Sequence, residues 1–282
     1  MTQLRSILAI QPGQAASDGA GVRLTRVIGG PGLERFDPFL MLDEFGSDNP
    51  DDYIAGFPPH PHRGFETITY MIEGRMRHED HMGNVGLLQS GGVQWMTAAR
   101  GVIHSEMPEQ EEGVMRGFQL WLNLPARDKL GDPGYRDFAP AEIPRLTTSS
   151  GIGVVAIAGR FDDGQEQLEG AVQRPHTEPY LLDLHLPAEA SLSPCLPEGH
   201  RVMLYVYEGE LEVNGEPVGQ SRLVRLSDQG ELQLASGGAA KVLLIAGKPL
   251  GEPIVQYGPF VMNSREEIEQ ALRDFRDDRL TA

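Results

Sequence analysis

A five-residue segment that occurs twice is the feature that most constrains how this chain folds. YMIEG at residues 70–74 recurs as YVYEG at residues 205–209, a spacing close to half of the 282-residue chain. Residues 92–96 and 230–234 also resemble each other once a short insertion is allowed. Two copies of one structural unit explain this spacing better than chance, and a chain of this length normally forms two domains.

Short apolar stretches between turn residues indicate what the repeated unit contains. Alternating or β-branched stretches lie at residues 22–28, 67–72, 93–96, 117–124, 153–158, 180–186, 202–207, 223–226 and 242–246. Glycine and proline separate them, and period-2 segments between frequent reversals are typical of an all-β sandwich or barrel. We therefore expect two tandem β-barrel domains, at residues 1–139 and 151–282, joined by a Pro-, Thr- and Ser-rich linker at residues 140–150.

One amphipathic helix is predicted near the end of the chain, over residues 264–279. Ser264 is placed to cap it, Glu267 occupies the capping-box position, and acidic residues suit the positive start of a helix. We expect its apolar face to dock on a barrel, and that face consists of Ile268, Ala271, Leu272 and Phe275.

Charge and cysteine content exclude several classes of function. The formal net charge of -17 disfavours direct binding to nucleic acid or to anionic lipid surfaces. No apolar run approaches the roughly 20 residues of a membrane span. Cys195 is the single cysteine, so no intramolecular disulfide can form, and the first residues lack the pattern of a secretion signal. We therefore expect a cytoplasmic protein that does not enter a membrane.

Two short motifs predict a metal site. His60 and His62 are two residues apart just before a predicted strand, and extended backbone projects such a pair to the same side. His104 and Glu106 repeat this spacing further along the chain. Three imidazoles and a carboxylate are costly to bury together without a cation, and they leave open positions on an iron-sized ion, unlike a closed structural zinc site. We expect one divalent ion per chain, Fe(II) before Cu, Mn, Ni or Zn.

The spacing alone leaves the choice of carboxylate open. Glu66 has the same parity as His60 and His62, so it can be a ligand or a hydrogen-bond partner of a ligating imidazole. His78 and His81 flank the turn at residues 80–84, and we interpret both as solvated turn residues. His176, His185 and His200 form no pair at strand spacing, and Cys195 is interpreted as an ordinary packed residue although a ligand or redox role is open.

The second repeat lacks the ligand set. The spacing of the repeat places Cys195 and Pro197 at the first pair, and Ala239 and Lys241, or Val242 and Leu244 after adjustment, at the second. We therefore expect the second barrel to bind no metal.

Taken together, the motifs resemble those of the pirin family, the two-barrel branch of the cupin superfamily with jelly-roll barrels. The similarity includes PFLMLDEFG at residues 38–46, PHPHRGFETITYMIEG at 59–74, QWMTAARGVIHSEMP at 94–108, QLWLNL at 119–124, GPFVMN at 258–263 and DFR at 274–276. In pirins the metal is held by the histidines and the glutamate of the second and third motifs. The resemblance therefore implies His60, His62, His104 and Glu106 as ligands, and favours Glu106 over Glu66.

The resemblance also implies an activity. Pirin-like proteins are associated with quercetin 2,3-dioxygenase activity, in which a flavonol and dioxygen react with opening of the C ring and loss of carbon monoxide. Glu106 would be the catalytic base that takes the proton of the 3-hydroxyl. The alternative is a non-enzymatic, iron-binding regulatory protein with a protein partner. A large apolar cavity at the metal site would favour the enzyme, whereas a sealed or tiny site beside an exposed patch would favour the regulator.

Overall fold

The structure, a computed structural model, describes residues 3–32 and 35–282. Its strands in the first half are β1 Ile7–Pro12, β2 Gln14–Asp18, β3 Val22–Ile28, β4 Phe39–Ser47, β5 Phe57–His62, β6 Phe65–Glu73, β7 Arg75–Asp80, β8 Val85–Gln89, β9 Val93–Thr97, β10 Val102–Pro108, β11 Met115–Asn123 and β12 Gly134–Phe138. The second half contains β13 Arg145–Thr147, β14 Gly153–Ala158, β15 Arg160–Asp162, β16 Gln167–Glu169, β17 Tyr180–Leu186, β18 Ser191–Leu192, β19 Arg201–Glu208, β20 Glu210–Val213, β21 Glu216–Gly219, β22 Arg222–Leu226, β23 Leu234–Ala235, β24 Ala240–Gly247, β25 Val255–Tyr257, β26 Phe260–Met262 and the helix α1 Arg265–Arg276. Short 3₁₀ turns lie at Pro50–Asp52, Ala126–Asp128 and Pro140–Glu142.

The described residues form mostly strands and a single α-helix, which confirms the all-β class, and they divide into two compact units. The N-terminal barrel comprises Gln14–Ala141 and Leu250–Ala282, and the C-terminal barrel comprises the described residues up to Gly13 and Glu142–Pro249. All nine stretches predicted as strands are strands, and their bounds lie close to the predicted ones. Within the described residues, no helix is long and apolar enough to cross a membrane.

Each barrel contains a seven-stranded and a four-stranded antiparallel sheet with matching strand orders. In the N-terminal barrel the orders are β12-β9-β6-β11-β4-β3-β2 and β5-β10-β7-β8. In the C-terminal barrel they are β1-β22-β19-β24-β17-β14-β13 and β18-β23-β20-β21. Strand β6 of the first barrel therefore corresponds to β19 of the second, and the pair β5 and β10 corresponds to β18 and β23.

The repeated segment marks the same point in both barrels. Gly74 lies where the chain leaves β6 of the seven-stranded sheet for β7 of the four-stranded sheet, and Gly209 lies between β19 and β20. Both glycines have a positive φ, 101° and 74°, which residues other than glycine rarely adopt. In both barrels the repeated segment is thus the point where the chain passes from one sheet to the other, and the backbone conformation there requires glycine.

The two barrels fill their interiors differently. In the C-terminal barrel one continuous apolar cluster joins the two sheets, with Leu182, Leu204 and Val224 on one side and Leu211 and Leu234 on the other. In the N-terminal barrel the apolar residues separate into smaller clusters, one around Phe45, Met71 and Met76 and another around Phe65 and Trp121. The space between these clusters holds polar side chains and a cavity, described below.

The start of the described chain belongs to the C-terminal barrel, and the end of the chain belongs to the N-terminal barrel. Strand β1 pairs with β22 of the C-terminal barrel, where it takes the place that β12 takes in the N-terminal barrel. The tail from Leu250 onward belongs to the N-terminal barrel. The compact units therefore differ from the predicted division at residues 3–13 and 250–282, because these pairings are set by contacts far apart in sequence.

The helix α1 forms with its predicted cap. Ser264 accepts a hydrogen bond from the Glu267 amide, and the Glu267 carboxylate accepts one from the Ser264 amide at 2.9 Å. Ile268 and Ala271 are buried in a cluster with Phe260, whereas the predicted face residues Leu272 and Phe275 stay partly exposed. The helix ends at Arg276 rather than at residue 279, because Asp278 has a φ of 53°, outside the helical region.

Candidate metal centre

Strand β5 presents two histidines on a proline-rich edge. It is the edge strand of the four-stranded sheet, with Pro58, Pro59 and Pro61 among its six residues. Proline cannot donate to a ladder, so an edge is where such a sequence fits a sheet. The Nδ1–H of His60 lies 2.8 Å from the carbonyl oxygen of Pro58, which fixes the proton on Nδ1 and leaves Nε2 with a free lone pair.

Strand β10 brings the second motif beside the first. His104 lies opposite His60 in the antiparallel pairing of β10 with β5. Burial alternates along β10, so that Val102, His104 and Glu106 are buried while Ile103 and Ser105 are less so. His104 and Glu106 therefore lie on the same buried face, as their spacing predicted, although the register of the pairing with β5 shifts between them.

Three of the predicted ligands form one cluster. Nitrogen atoms of His60, His62 and His104 lie within 4.8 Å of one another, and the ring centroids are 4.4–4.9 Å apart. Burial, and then the neighbouring imidazoles, hold the pKa of His62 and of His104 well below the usual value of 6.5. Both rings are therefore neutral at pH 7, the form that binds a metal. The buried Nδ1 of His62 and Nε2 of His104 have no hydrogen-bond partner.

Glu106 lies beside this cluster and is held by neutral donors. A carboxylate oxygen of Glu106 belongs to a second group within 4.8 Å, formed with His104 and His78, so the four predicted ligands do not make a single group at that spacing. Glu106 accepts hydrogen bonds from the Thr69 hydroxyl at 3.2 Å and from Nε2 of Gln119 at 3.0 Å. The indole N–H of Trp121 donates to the Gln119 oxygen at 3.1 Å, which turns the amide N–H toward Glu106.

Glu66 lies elsewhere. Its carboxylate is buried and accepts a 2.6 Å hydrogen bond from Thr97, and it belongs to neither group of potential ligands in the described chain. One continuous strand would place Glu66 on the same side as His60 and His62, but Gly64, with a φ of 92°, interrupts the strand. A Cβ at Gly64 would lie 1.9 Å from the carbonyl oxygen of Val261, so this close approach also requires glycine.

The predicted environment of His78 was wrong. It is 2% exposed on β7, opposite Glu106, and is not a solvated turn residue. His81 is exposed, as predicted. The signal for His78 was present in the sequence, because RMRHED alternates and places Met76 and His78 on the buried face.

The interpretation of Cys195 as a packed residue was also wrong. The side chain is exposed in the C-terminal barrel, on the segment after β18. Its amide donates to the carbonyl oxygen of Asp162, so the backbone is held while the thiol faces outward. Partial desolvation raises the pKa of this thiol, which leaves it protonated at pH 7.

Two basic side chains support the strand that carries His60 and His62. The Lys129 ammonium donates to Asn123 and to the carbonyl oxygens of Gly64 and Val261 at 2.6–2.8 Å, and burial lowers its pKa to about 8. Arg63, next to His62, forms an ion pair with Asp274 of α1 at 2.8 Å. It also donates to the carbonyl oxygens of Leu280 and Arg100. The tail of the chain thus holds the end of β5 in place.

A cavity of about 630 Å³ opens onto the cluster. His60, His62, Glu106, Gln119 and Trp121 line it together with the apolar side chains of Leu24, Met41, Phe45 and Phe57. On its wall the Arg26 guanidinium donates to both carboxylate oxygens of Asp43, at 2.9 and 2.7 Å, and to Asp18 at 2.9 Å. Burial raises the pKa of Asp43, and Arg26 opposes that rise.

The matching place in the C-terminal barrel has a different composition. Strands β18 and β23 correspond to β5 and β10, and they contribute Ser191, Leu192, Leu234 and Ala235. The spacing of the repeated segment predicted other counterparts, including Cys195 and Ala239. That spacing relates β6 to β19, but it does not relate the strands beyond them, because the intervening loops differ in length. The absence of metal from this barrel stays a prediction.

Comparison with known proteins identifies the family. The family model for pirin matches residues 21–122, and the model for the pirin C-terminal cupin domain matches residues 181–281. The chain belongs to the pirin family. The resemblance predicted from the motifs is thereby confirmed, and the two units are the cupin barrels of a pirin.

Pirin relatives and structures cover almost the whole chain. The sequence is 69% identical, over 98% of both chains, to a Pseudomonas aeruginosa protein named "Putative quercetin 2,3-dioxygenase". It is 46% identical, over 98% of this chain and 99% of the other, to a pirin-like protein of Caulobacter vibrioides. A crystal structure of quercetin 2,3-dioxygenase from Acinetobacter baumannii matches it with a TM-score of 0.91 and 30% identity, over 99% of each chain.

Sequence reasoning missed the residues that hold Glu106 in this pirin. Thr69 and Gln119 reach it from β6 and β11, which pair with Thr69 opposite Gln119, and Trp121 orients Gln119. QLWLNL was recognised as a family motif, yet nothing local in it predicts that Gln119 contacts a residue on another sheet. The pairing of β6 with β11 is the missing information.

Proposed function

We propose that this protein is a metal-dependent dioxygenase that opens the C ring of flavonols such as quercetin, with Fe(II) as its metal. The observation that carries the proposal is the cavity of about 630 Å³, which joins apolar walls to His60, His62 and Glu106. Sites for molecules of this size are cavities of roughly 300–1,000 Å³ with a few polar groups. The names of the Pseudomonas and Acinetobacter relatives support the same activity.

The donor set fits a divalent ion. His60 offers a bare Nε2, and His62 and His104 have buried ring nitrogens without a hydrogen-bond partner, which is costly unless something binds them. We propose His60, His62, His104 and Glu106 as the ligands. Nitrogen ligands with one carboxylate suit iron, and they also accept Cu, Mn, Ni or Zn.

A divalent ion held there supplies positive charge that favours ionisation of a substrate hydroxyl and allows chemistry with dioxygen. The cavity's apolar side chains Met41, Phe45 and Trp121 are placed to contact the rings of a flavonol and to exclude water around them. The 3-hydroxyl then faces Glu106. Its O–H bond breaks, the proton passes to a carboxylate oxygen of Glu106, and the electron pair remains on the flavonol oxygen, which enriches the C ring for attack by dioxygen.

Glu106 suits this role because its position is fixed without a countercharge. Thr69 and Gln119 orient the carboxylate through neutral hydrogen bonds, and Trp121 orients Gln119. The same carboxylate lines the cavity, so it can accept a proton from a bound molecule.

The test compares two buried glutamates. Glu106→Gln keeps shape and an oxygen ligand but removes the base, so quercetin-dependent oxygen consumption per bound metal should fall by roughly 10²–10⁴ while metal is partly retained. Glu66→Gln is the matched control, because Glu66 is equally buried and bonded to Thr97 outside the cavity. It should change turnover far less. The reverse order of the two variants would assign the base to Glu66.

The wild type tests the activity itself. If it consumes no oxygen with quercetin when loaded with iron, copper, manganese or nickel, the enzyme proposal fails, and the regulatory protein with a protein partner takes its place. The size of the cavity supports the enzyme. The cytoplasmic location stays a prediction.

A further inference from the structure

His78 is a buried imidazole for which neither the ligand set nor the proposed reaction has a use. It lies on β7 opposite Glu106, and its ring stacks on Tyr135 with centroids 5.0 Å apart and planes at 23°. Its Nδ1 lies 3.3 Å from the Nδ1 of His104, and the two ring centroids are 4.9 Å apart. His78 therefore contacts a proposed ligand through that ligand's second ring nitrogen.

Two facing Nδ1 atoms share one hydrogen bond, so only one of them carries the proton between them. If His78 donates, Nδ1 of His104 is the acceptor, and the proton of neutral His104 is on Nε2. If His104 donates, its proton is on Nδ1, and its Nε2 has a free lone pair. His104 is neutral in both arrangements, so the choice is between its two tautomers and not between charges.

We propose that His78 is a positioning residue that accepts the Nδ1–H of His104 and thereby holds Nε2 of His104 ready to bind the metal. The inference rests on the proposed metal site and deepens it. Ligating histidines usually donate their second N–H to an acceptor, which fixes tautomer and ring orientation. His60 has such an acceptor in the Pro58 carbonyl oxygen. For His104 an imidazole takes that place, held against Tyr135.

A competing arrangement would make His78 a ligand. His78, His104 and Glu106 also offer atoms within 4.8 Å of one another. An ion bound at the facing Nδ1 atoms would leave the buried Nδ1 of His62 and Nε2 of His104 without partners. It would also leave unused the imidazoles of His60 and His62 that line the cavity. These two observations favour the accepting role, and the buried Nε2 of His78 lacks a partner in either arrangement.

The experiment reads the tautomer directly in metal-free protein. Long-range ¹⁵N–¹H NMR spectra of ¹⁵N-histidine protein, with His104 assigned through His104→Gln, should show the wild-type proton on Nδ1 and a bare Nε2. Two variants of similar shape separate packing from hydrogen bonding. His78→Asn places an amide oxygen near the position of Nδ1, whereas His78→Leu offers no acceptor. The His104 tautomer should be mixed in His78→Leu and restored in His78→Asn.

Metal affinity is the second measurement, made by competition of Ni²⁺ and of anaerobic Fe²⁺ with a chromophoric chelator. We expect His78→Leu to bind about 10–100-fold more weakly than wild type, as loss of such a partner typically causes. His78→Asn should recover most of this loss. Tyr135→Phe is the control, because it keeps the ring that stacks on His78, and it should bind like wild type.

Three results would overturn the inference. One is a wild-type His104 with its proton on Nε2, a result that does not depend on either variant at position 78. Another is equal affinity in His78→Leu and His78→Asn, whether both match wild type or both are equally weak. The third is metal binding that survives His62→Ala but is lost in His78→Asn, which would make His78 a ligand. None of these measurements uses turnover, so an inactive protein with the expected tautomer and affinities would refute the dioxygenase and leave His78's role intact.

Discussion

The two barrels have the same sheets in the same order, yet one is filled with apolar side chains and the other contains a cavity. At the strands that carry His60, His62, His104 and Glu106 in the first barrel, the second carries Ser191, Leu192, Leu234 and Ala235. Leu192 and Leu234 belong to the continuous core of the C-terminal barrel. A single framework thus supports either a packed interior or a polar site, depending on a few side chains on two strands.

A polar site changes how the interior of its barrel is stabilised. Buried imidazoles and carboxylates need partners, and in the N-terminal barrel these come from Thr69, Gln119 and His78 rather than from apolar packing. Among the described residues, the apolar side chains that line the cavity belong to separate clusters. Strands β18 and β23 of the C-terminal barrel carry no buried groups that need such hydrogen-bond partners. The leucines and valines of this barrel pack directly against one another.

The largest expected effect concerns metal content. His62→Ala removes a proposed ligand, so we expect the metal content measured by elemental analysis to fall from one ion per chain to nearly none. The double variant His60→Ala, His104→Ala should also bind none, because the corresponding strands of the C-terminal barrel carry no imidazole or carboxylate. An unchanged metal content in His62→Ala would refute the site. One ion per chain in the double variant would refute the contrast between the barrels.

A smaller effect is expected from matched core substitutions. Leu204→Ala leaves a closed void in a continuous core, and should lower the free energy of unfolding by about 2–5 kcal/mol. Leu24→Ala removes the same atoms where the side chain already borders the cavity, so its cost should lie at or below the bottom of that range. Hydrogen–deuterium exchange measures the loss of stability in each barrel separately. Trp95 and Trp121, the two tryptophans, report by fluorescence on the N-terminal barrel. Equal losses would contradict the difference in packing.

The smallest effect is a dependence on pH. In chelator-treated protein, His62 and His104 have lowered pKa values, whereas unfolded imidazoles titrate near 6.5. Below pH 6.5 the unfolded chain therefore binds more protons, so the free energy of unfolding falls as pH falls, by at most about 1.4 kcal/mol per pH unit for each group.

His62→Gln should reduce this slope, as measured by urea unfolding between pH 6.5 and 5. The control is His200→Gln in the C-terminal barrel. Burial also lowers the pKa of His200, but Glu178 opposes that shift, so its substitution should change the slope less. A slope that is the same in wild type and His62→Gln would mean that the imidazole cluster takes up protons without unfolding.

Much of the fold followed from local patterns in the sequence. Alternation located nine strands, the repeat located two barrels, and Ser264 with Glu267 located the helix start. These features depend on residues within a few positions of one another, and the sequence contains them directly. The placement of both side chains of each motif on one face also followed from period 2, whereas the approach of His104 to His60 depends on the pairing of β10 with β5.

What could not be predicted depends on pairing between distant strands. The burial of His78 could be predicted from the alternation of RMRHED, but its contact with His104 could not, because that contact depends on the pairing of β7 with β10. Glu66 was kept as a candidate because the interruption of the strand at Gly64 was not predicted, and the backbone that packs against Gly64 there, at Val261, lies far away in sequence. The assignment of residues 250–282 to the first barrel has the same origin.

The place of the tail has a consequence for the order of events during synthesis. A ribosome makes Gln14–Ala141 before Glu142–Pro249, and only afterwards the segment that contains Val261 and Asp274. Until that segment emerges, Lys129 lacks one of its three acceptors and Arg63 lacks its carboxylate partner. The barrel that is translated first is thus completed last, and the histidines beside Arg63 reach their final support only after the second barrel has been translated.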